Sequence, residues 1–146
     1  MKILLDAPLN GLSLGNVSFN IIREFYKRNL DLRIFPTGDI NLKSYSISPE
    51  LKEYIEGAIN NRLDFLKPDI PVLRVWHLNG SEQRKNKDQY LLTFYECDDP
   101  TEAEIAFCKA QDRTIFTSNV AKDHFGKRGA DNVSYVPLGL DEDFFV

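Results

Sequence analysis

The chain has 146 residues, 42% of them hydrophobic and 27% charged, which suits one domain with a sizeable core and excludes a disordered or fibrous sequence. Eighteen basic against twenty-two acidic residues give a net charge of −4, arguing against a dedicated nucleic-acid backbone binder while leaving room for a local basic pocket. No run approaches the roughly eighteen apolar residues of a membrane span, and residues 1–8 meet Asp6 too early for a signal peptide. Cys97 and Cys108 lack the spacing of a zinc site and are too few for a disulfide framework, so a cytoplasmic protein with reduced thiols and no metal site is expected.

Residues 2–7 (KILLDA) have the length and β-formers of a strand. A loop bearing Gly11 and Gly15 follows, and then Val17, Ile21, Ile22, Phe25 and Tyr26 recur at helical spacing opposite Arg23, Glu24, Lys27 and Arg28. Residues 31–35 (DLRIF) give a second strand. Ser48 and Pro49, a capping residue and a first-turn proline, open a second helix whose apolar side runs from Leu51 through Ile55 and Ile59 to Leu66 before Pro68. Strands are predicted at 72–76 (VLRVW) and 90–95 (YLLTFY), separated by residues 77–89, which have no apolar stripe and read as loop. Asp99 and Pro100 are expected to start a third helix. A strand at 113–118 leads into a fourth helix from Ser118 or Asn119 to Gly126 or Gly129, and 133–137 (VSYVP) completes six strands. Strand and helix in alternation predict an α/β fold, a three-layer α/β/α sandwich around a mainly parallel sheet of about six strands, formed by residues 1–146 as a single unit.

In such sheets ligands bind beyond the carboxyl ends of the strands. Four candidates lie there. Gly15 and Asn16 precede a helix, where the backbone can approach an anionic group closely; a turn with Asn16 as helix cap is the alternative. The loop is neither the dinucleotide fingerprint nor a P-loop. His77 follows VLRVW directly and could exchange a proton with a substrate hydroxyl, or simply be a packed or solvated side chain. Glu96 ends YLLTFY, two or three residues too early to cap the next helix, which suits it to hydroxyl binding or to orienting a catalytic group. Ser118 lies at the fifth strand exit. His124 reads as structural or surface. Asp141, Glu142 and Asp143 imitate a cation-binding acidic pair but lack a supporting shell, and Arg84, Lys85 and Lys87 read as solvated loop charges.

Taken in order, LNGLSLGNVSFNIIREF, TFYECDD, TIFTSNVAKDHFGKRG and VSYVPLGLDEDFF resemble the N-terminal half of GT-B fold glycosyltransferases, in particular the retaining group 1, family 4-like transferases. The resemblance spans nearly the whole chain. It implies a Rossmann-like, acceptor-binding domain facing a donor-binding domain supplied in cis or in trans, with a nucleotide-sugar as co-substrate, a hydroxyl acceptor and no obligatory metal. Gly15 and Asn16 would lie near the donor diphosphate, His77 in the acceptor-side catalytic region, Glu96 in the sugar or acceptor pocket, and Ser118 on the rim. The family's donor-domain glutamates and phosphate-binding basic residues have no counterpart among these residues, so a C-terminal donor-binding domain is absent and transfer by this chain alone is not expected. A non-catalytic α/β binding or assembly module is the alternative.

Overall fold

Six strands form one sheet in the computed structural model, which describes residues 1–140. They are β1 (Lys2–Ala7), β2 (Asp31–Pro36), β3 (Val72–Val75), β4 (Gln89–Thr93), β5 (Arg113–Phe116) and β6 (Val133–Tyr135). The helices are α1 (Ser13–Lys27), α2 (Pro49–Asn60), α3 (Glu102–Lys109) and α4 (Asn119–Lys127), with a 3-10 turn at Arg62–Phe65 after α2. The spatial order is β2-β1-β3-β4-β5-β6, and every neighbouring pair is parallel rather than mainly so. The architecture is a Rossmann-like α/β sandwich with helices on both faces.

Register assigns side chains to faces, since partners across a parallel ladder point the same way. On one face Leu5, Leu32, Ile34 and Val75 meet the apolar stripes of α1 (Leu14, Phe19, Ile22) and α2 (Leu51, Ile55, Ala58). On the other, Leu91 and Phe116 meet Ile105 and Cys108 of α3 and Ala121 and Phe125 of α4. Phe116 and Phe125 are fully buried and stacked with centroids 4.7 Å apart. Burial of each stabilises the fold by about 1.5–3 kcal/mol. The 3-10 turn packs Phe65 with Ile70 against Leu4 and Val72 on this second face.

Local chemistry explains where element boundaries differ from expectation. Helix α1 begins at Ser13, one turn before the predicted start, so Gly15 and Asn16 lie inside it rather than in the preceding loop, and Leu12 occupies the cap position. The glycine is there for clearance: a Cβ on Gly15 would stand 2.3 Å from the Asn10 carbonyl oxygen. Helix α2 is capped by Ser48 as expected but ends at Asn60, where the Asn61 side chain donates to the Gly57 carbonyl at 2.9 Å. Helix α3 is capped by Thr101, not Asp99: Thr101 Oγ1 accepts from Glu104 N while the Glu104 carboxylate accepts from Thr101 N, a reciprocal capping box. Asp99 instead pairs with Arg128 at 2.8 Å. Strand β4 stops at Thr93, leaving Glu96 in the following loop.

Candidate functional site

The order 2-1-3 places a topological switch between β1 and β3: the chain steps outward from β1 to β2, then returns past β1 to β3 and continues the other way. Connections diverge above that point, beyond Ala7 and Val75, where open α/β sheets commonly bind their ligands. Because all strands are parallel, the loops carrying Asn10, His77, Glu96 and Ser118 leave from the same edge of the sheet.

The loops on the β1 side of this edge are tied to one another. Asn10 Oδ1 accepts from Leu12 N at 3.0 Å and Asn10 O accepts from the Tyr45 hydroxyl at 2.6 Å. Tyr45 stacks on Phe19 with centroids 4.0 Å apart, tying the loop after β2 to α1. Thr37 N and Asn41 N donate to Ala7 O and Leu9 O, folding that loop across the one after β1. Helix α1 starts here with no side-chain cap and no acid in its first turn. Its amino end therefore presents unneutralised partial positive charge to the rim, a setting that favours an anion. Asn16 is exposed on that first turn. Gly15 is buried against Asn10, so its lack of a side chain serves the fit of the chain to itself.

On the β3 side His77 is exposed, its ring edge-on to Trp76 at 5.4 Å, and it makes no hydrogen bond with the described residues. Glu96 is exposed and likewise without a hydrogen bond or ion pair among them. Both are free to meet a ligand. Ser118 is engaged: its Oγ accepts from Ala121 N at 3.3 Å and caps α4. His124 is half-buried within α4, its Nδ1 enclosed and unbonded. Residues 141–143, the acidic cluster, lie outside the described residues. Among the described residues no group of three His, Cys, Asp or Glu could hold a metal ion, and no helix is long and apolar enough to cross a membrane.

Sequence reasoning missed the charge cluster at the end of β1. Asp6 is only 2% exposed. Its carboxylate accepts from Thr37 Oγ1 at 3.1 Å and from Lys85 Nζ at 2.9 Å, with Arg74 Nε at 3.8 Å. Lys85 is thus not a solvated loop charge, and neither is Arg84, which binds Asp112 at 2.6 Å and the Ala110 carbonyl. A carboxylate inside an apolar strand needs a cation, so Asp6 in KILLDA was the available signal. Two cations against one carboxylate leave an excess positive charge beneath the rim, of the same sign as the α1 amino end.

Glu104, at the amino end of α3, and Asp112, before β5, have their carboxyls held below the ordinary range. Burial opposes ionisation of Glu104 but is outweighed by hydrogen bonds from Thr101 N, the Tyr95 hydroxyl and Thr101 Oγ1. The same holds for Asp112, where burial is overcome by Gln89 N and Arg84. Both serve the scaffold. At the β2 end of the rim, Ile40, Leu42, Ile47, Ile55 and Ile59 line an apolar cleft of about 330 Å³ between the 37–48 loop and α2. No family model, curated protein or solved structure matches the chain.

Proposed function

We propose that the chain is the acceptor-binding domain of a glycosyltransferase, working with a donor-binding domain in cis or in trans to move a sugar from a nucleotide-sugar to a hydroxyl. What supports this reading is that the uncapped amino end of α1 and the unengaged imidazole of His77 both follow strands whose carboxyl ends share one edge of the sheet. The α1 amino end would stabilise the donor diphosphate as negative charge builds on it during departure. His77 would receive or hold the acceptor hydroxyl proton, and Glu96 would accept hydrogen bonds from sugar or acceptor hydroxyls. Asn16, exposed on the first turn, would add a polar contact, while the parts of Gly15 and Ser118 in this reading reduce to positioning the backbone. Most of the electrostatic stabilisation would come from the second domain.

Calorimetric titration with a panel of nucleotide-sugars, first with the chain alone and then with a donor-binding domain, tests it. Binding confined to the second case supports a divided site. In the reconstituted enzyme Glu96→Gln should impair turnover without moving the melting temperature, and unchanged rates would remove Glu96 from the site. The second reading, a non-catalytic binding module, is favoured by one observation: Gly15 and Ser118 already have complete structural employment, in clearance and in capping. Under that reading no donor domain restores transfer.

A further inference from the structure

Asparagine followed by glycine occurs twice in the chain, at Asn10–Gly11 and Asn79–Gly80, in the loops that follow β1 and β3. Such a pair is a labile context for an asparagine amide, because the glycine nitrogen can attack the side-chain carbonyl carbon and no Cβ obstructs the ring that closes. The fold holds the two pairs very differently. Asn10 is half-buried, its Oδ1 accepts from Leu12 N at 3.0 Å, and its carbonyl accepts from the Tyr45 hydroxyl at 2.6 Å. Gly15 stands so near that a Cβ on it would lie 2.4 Å from Asn10 Oδ1. The Asn10 side chain therefore cannot swing onto Gly11 N without breaking the Leu12 bond and displacing the start of α1.

Asn79 and Gly80 are both exposed, and neither makes a hydrogen bond with the described residues, through side chain or backbone. The turn around them is nonetheless fixed. Ser81 N donates to Leu78 O at 3.1 Å, and the Ser81 hydroxyl donates to the same carbonyl. Gly80 sits in that turn with φ +82°, a conformation that strains any residue with a Cβ. Glycine is thus dictated by the backbone at 80, while its neighbour is a freely rotating amide beside an unbonded, solvent-accessible N–H.

We propose that Asn79 is a self-modifying site, converting to aspartate and isoaspartate in the folded protein while Asn10 is protected. The Gly80 amide nitrogen, having lost its proton to hydroxide, bonds to Asn79 Cγ. The Cγ–Nδ2 bond breaks, the departing nitrogen takes a proton from water and leaves as ammonia, and a succinimide ring remains. Water then opens the ring. Attack at Cγ gives aspartate, and attack at the main-chain carbonyl carbon gives isoaspartate; nothing is oxidised or reduced. Both products add one negative charge to the loop that carries His77, but only isoaspartate inserts an extra carbon into the main chain. That carbon enters beside an anchored residue, since Ser81 is fully buried and its carbonyl accepts from the side chains of Gln89 and Gln111 at 2.9 and 3.0 Å. The isoaspartyl form is therefore the less stable of the two.

The full chain, incubated folded at mildly alkaline pH and then digested, reports both pairs in one peptide map by mass spectrometry, with isoaspartate scored by isoaspartyl methyltransferase. Asn79 should lose its amide about tenfold or more faster than Asn10, the factor expected when ring closure must first break a hydrogen bond and unpack a helix start. The rate should rise with pH, and both acids should appear at 79. In urea the two pairs should react at similar rates. Asn79→Gln, an exposed change that disfavours the ring, should remove the acidic charge variant without altering the melting temperature. The isoaspartyl form, separated by ion exchange, should melt a few degrees below the parent chain, and Asn79→Asp should melt with it. An Asn79 amide that survives, loss no faster than at Asn10, aspartate without isoaspartate, or an acidic variant that persists in Asn79→Gln would each overturn the proposal. An isoaspartyl form that melts with the parent would overturn its coupling to the turn. None of these outcomes bears on sugar transfer.

Discussion

Replacing Gly15 by alanine separates clearance from ligand binding at the start of α1. In an exposed helix interior the change would stabilise by about 1 kcal/mol through helix propensity. Here the new methyl would sit 2.3 Å from Asn10 O and 2.4 Å from Asn10 Oδ1. Neither can retreat cheaply, because the carbonyl holds the Tyr45 hydroxyl and the side chain holds Leu12 N. Overpacking of this kind costs about 1–3 kcal/mol, and a hydrogen bond lost in relief costs about 1 kcal/mol more. After the propensity gain, the net is a destabilisation of about 1–3 kcal/mol, or roughly 3–10 °C in melting temperature for a domain of this size. Gly57 in the interior of α2 is the control, since a Cβ there meets nothing within 4 Å, and Gly57→Ala should be stabilising by up to about 1 kcal/mol. Thermal melts by circular dichroism of the two variants give the answer. If Gly15→Ala melts at or above the wild type, the glycine is not required for packing and a role toward a ligand regains its force.

Lys85→Met leaves the Asp6 carboxylate buried with Thr37 and a distant Arg74, and should cost about 2 kcal/mol, below the figure for a fully buried pair because the lysine is partly solvated. In the double variant with Asp6→Asn the loss should be less than the sum, as read by urea denaturation. Thr101→Ala should cost about 1 kcal/mol through the capping box of α3. The carboxyls of Glu104 and Asp112 ionise below their ordinary values in the fold, so the stability they contribute is whole above about pH 4.5 and is lost as pH falls through their folded values. Glu104→Gln should accordingly flatten the acid limb of a stability–pH curve. Thiol labelling under native conditions should modify the exposed Cys97 and spare Cys108, which is fully buried with its thiol pKa raised by burial, until the chain unfolds.

All six strands and four helices were legible because their signals are local: β-formers in short runs, apolar residues at helical spacing, a serine before a proline at α2, a serine opening α4. Boundaries failed where a tertiary contact decides. Gly15 reads as a loop residue until Asn10 is seen to need its space, and Thr101 wins the α3 cap because Glu104, three residues on, can reciprocate. The strand-end position of His77 and Glu96 followed from strand order in the sequence alone, since parallel strands send all their exits to one edge. The pairing of Asp6 with Lys85 spans 79 residues, and no window of sequence contains it.

The segment between β3 and β4 holds its place through partners remote in sequence: Lys85 on Asp6, Asn86 on the carbonyls of Phe65 and Ile70, and Ser81 O as acceptor for Gln111. These bonds link positions 16 to 79 residues apart, so the latch should close late, once the sheet has assembled. Loosening it should then accelerate unfolding while leaving the refolding rate nearly unaltered, so that the lifetime of the native protein rests on a stretch without a single regular element.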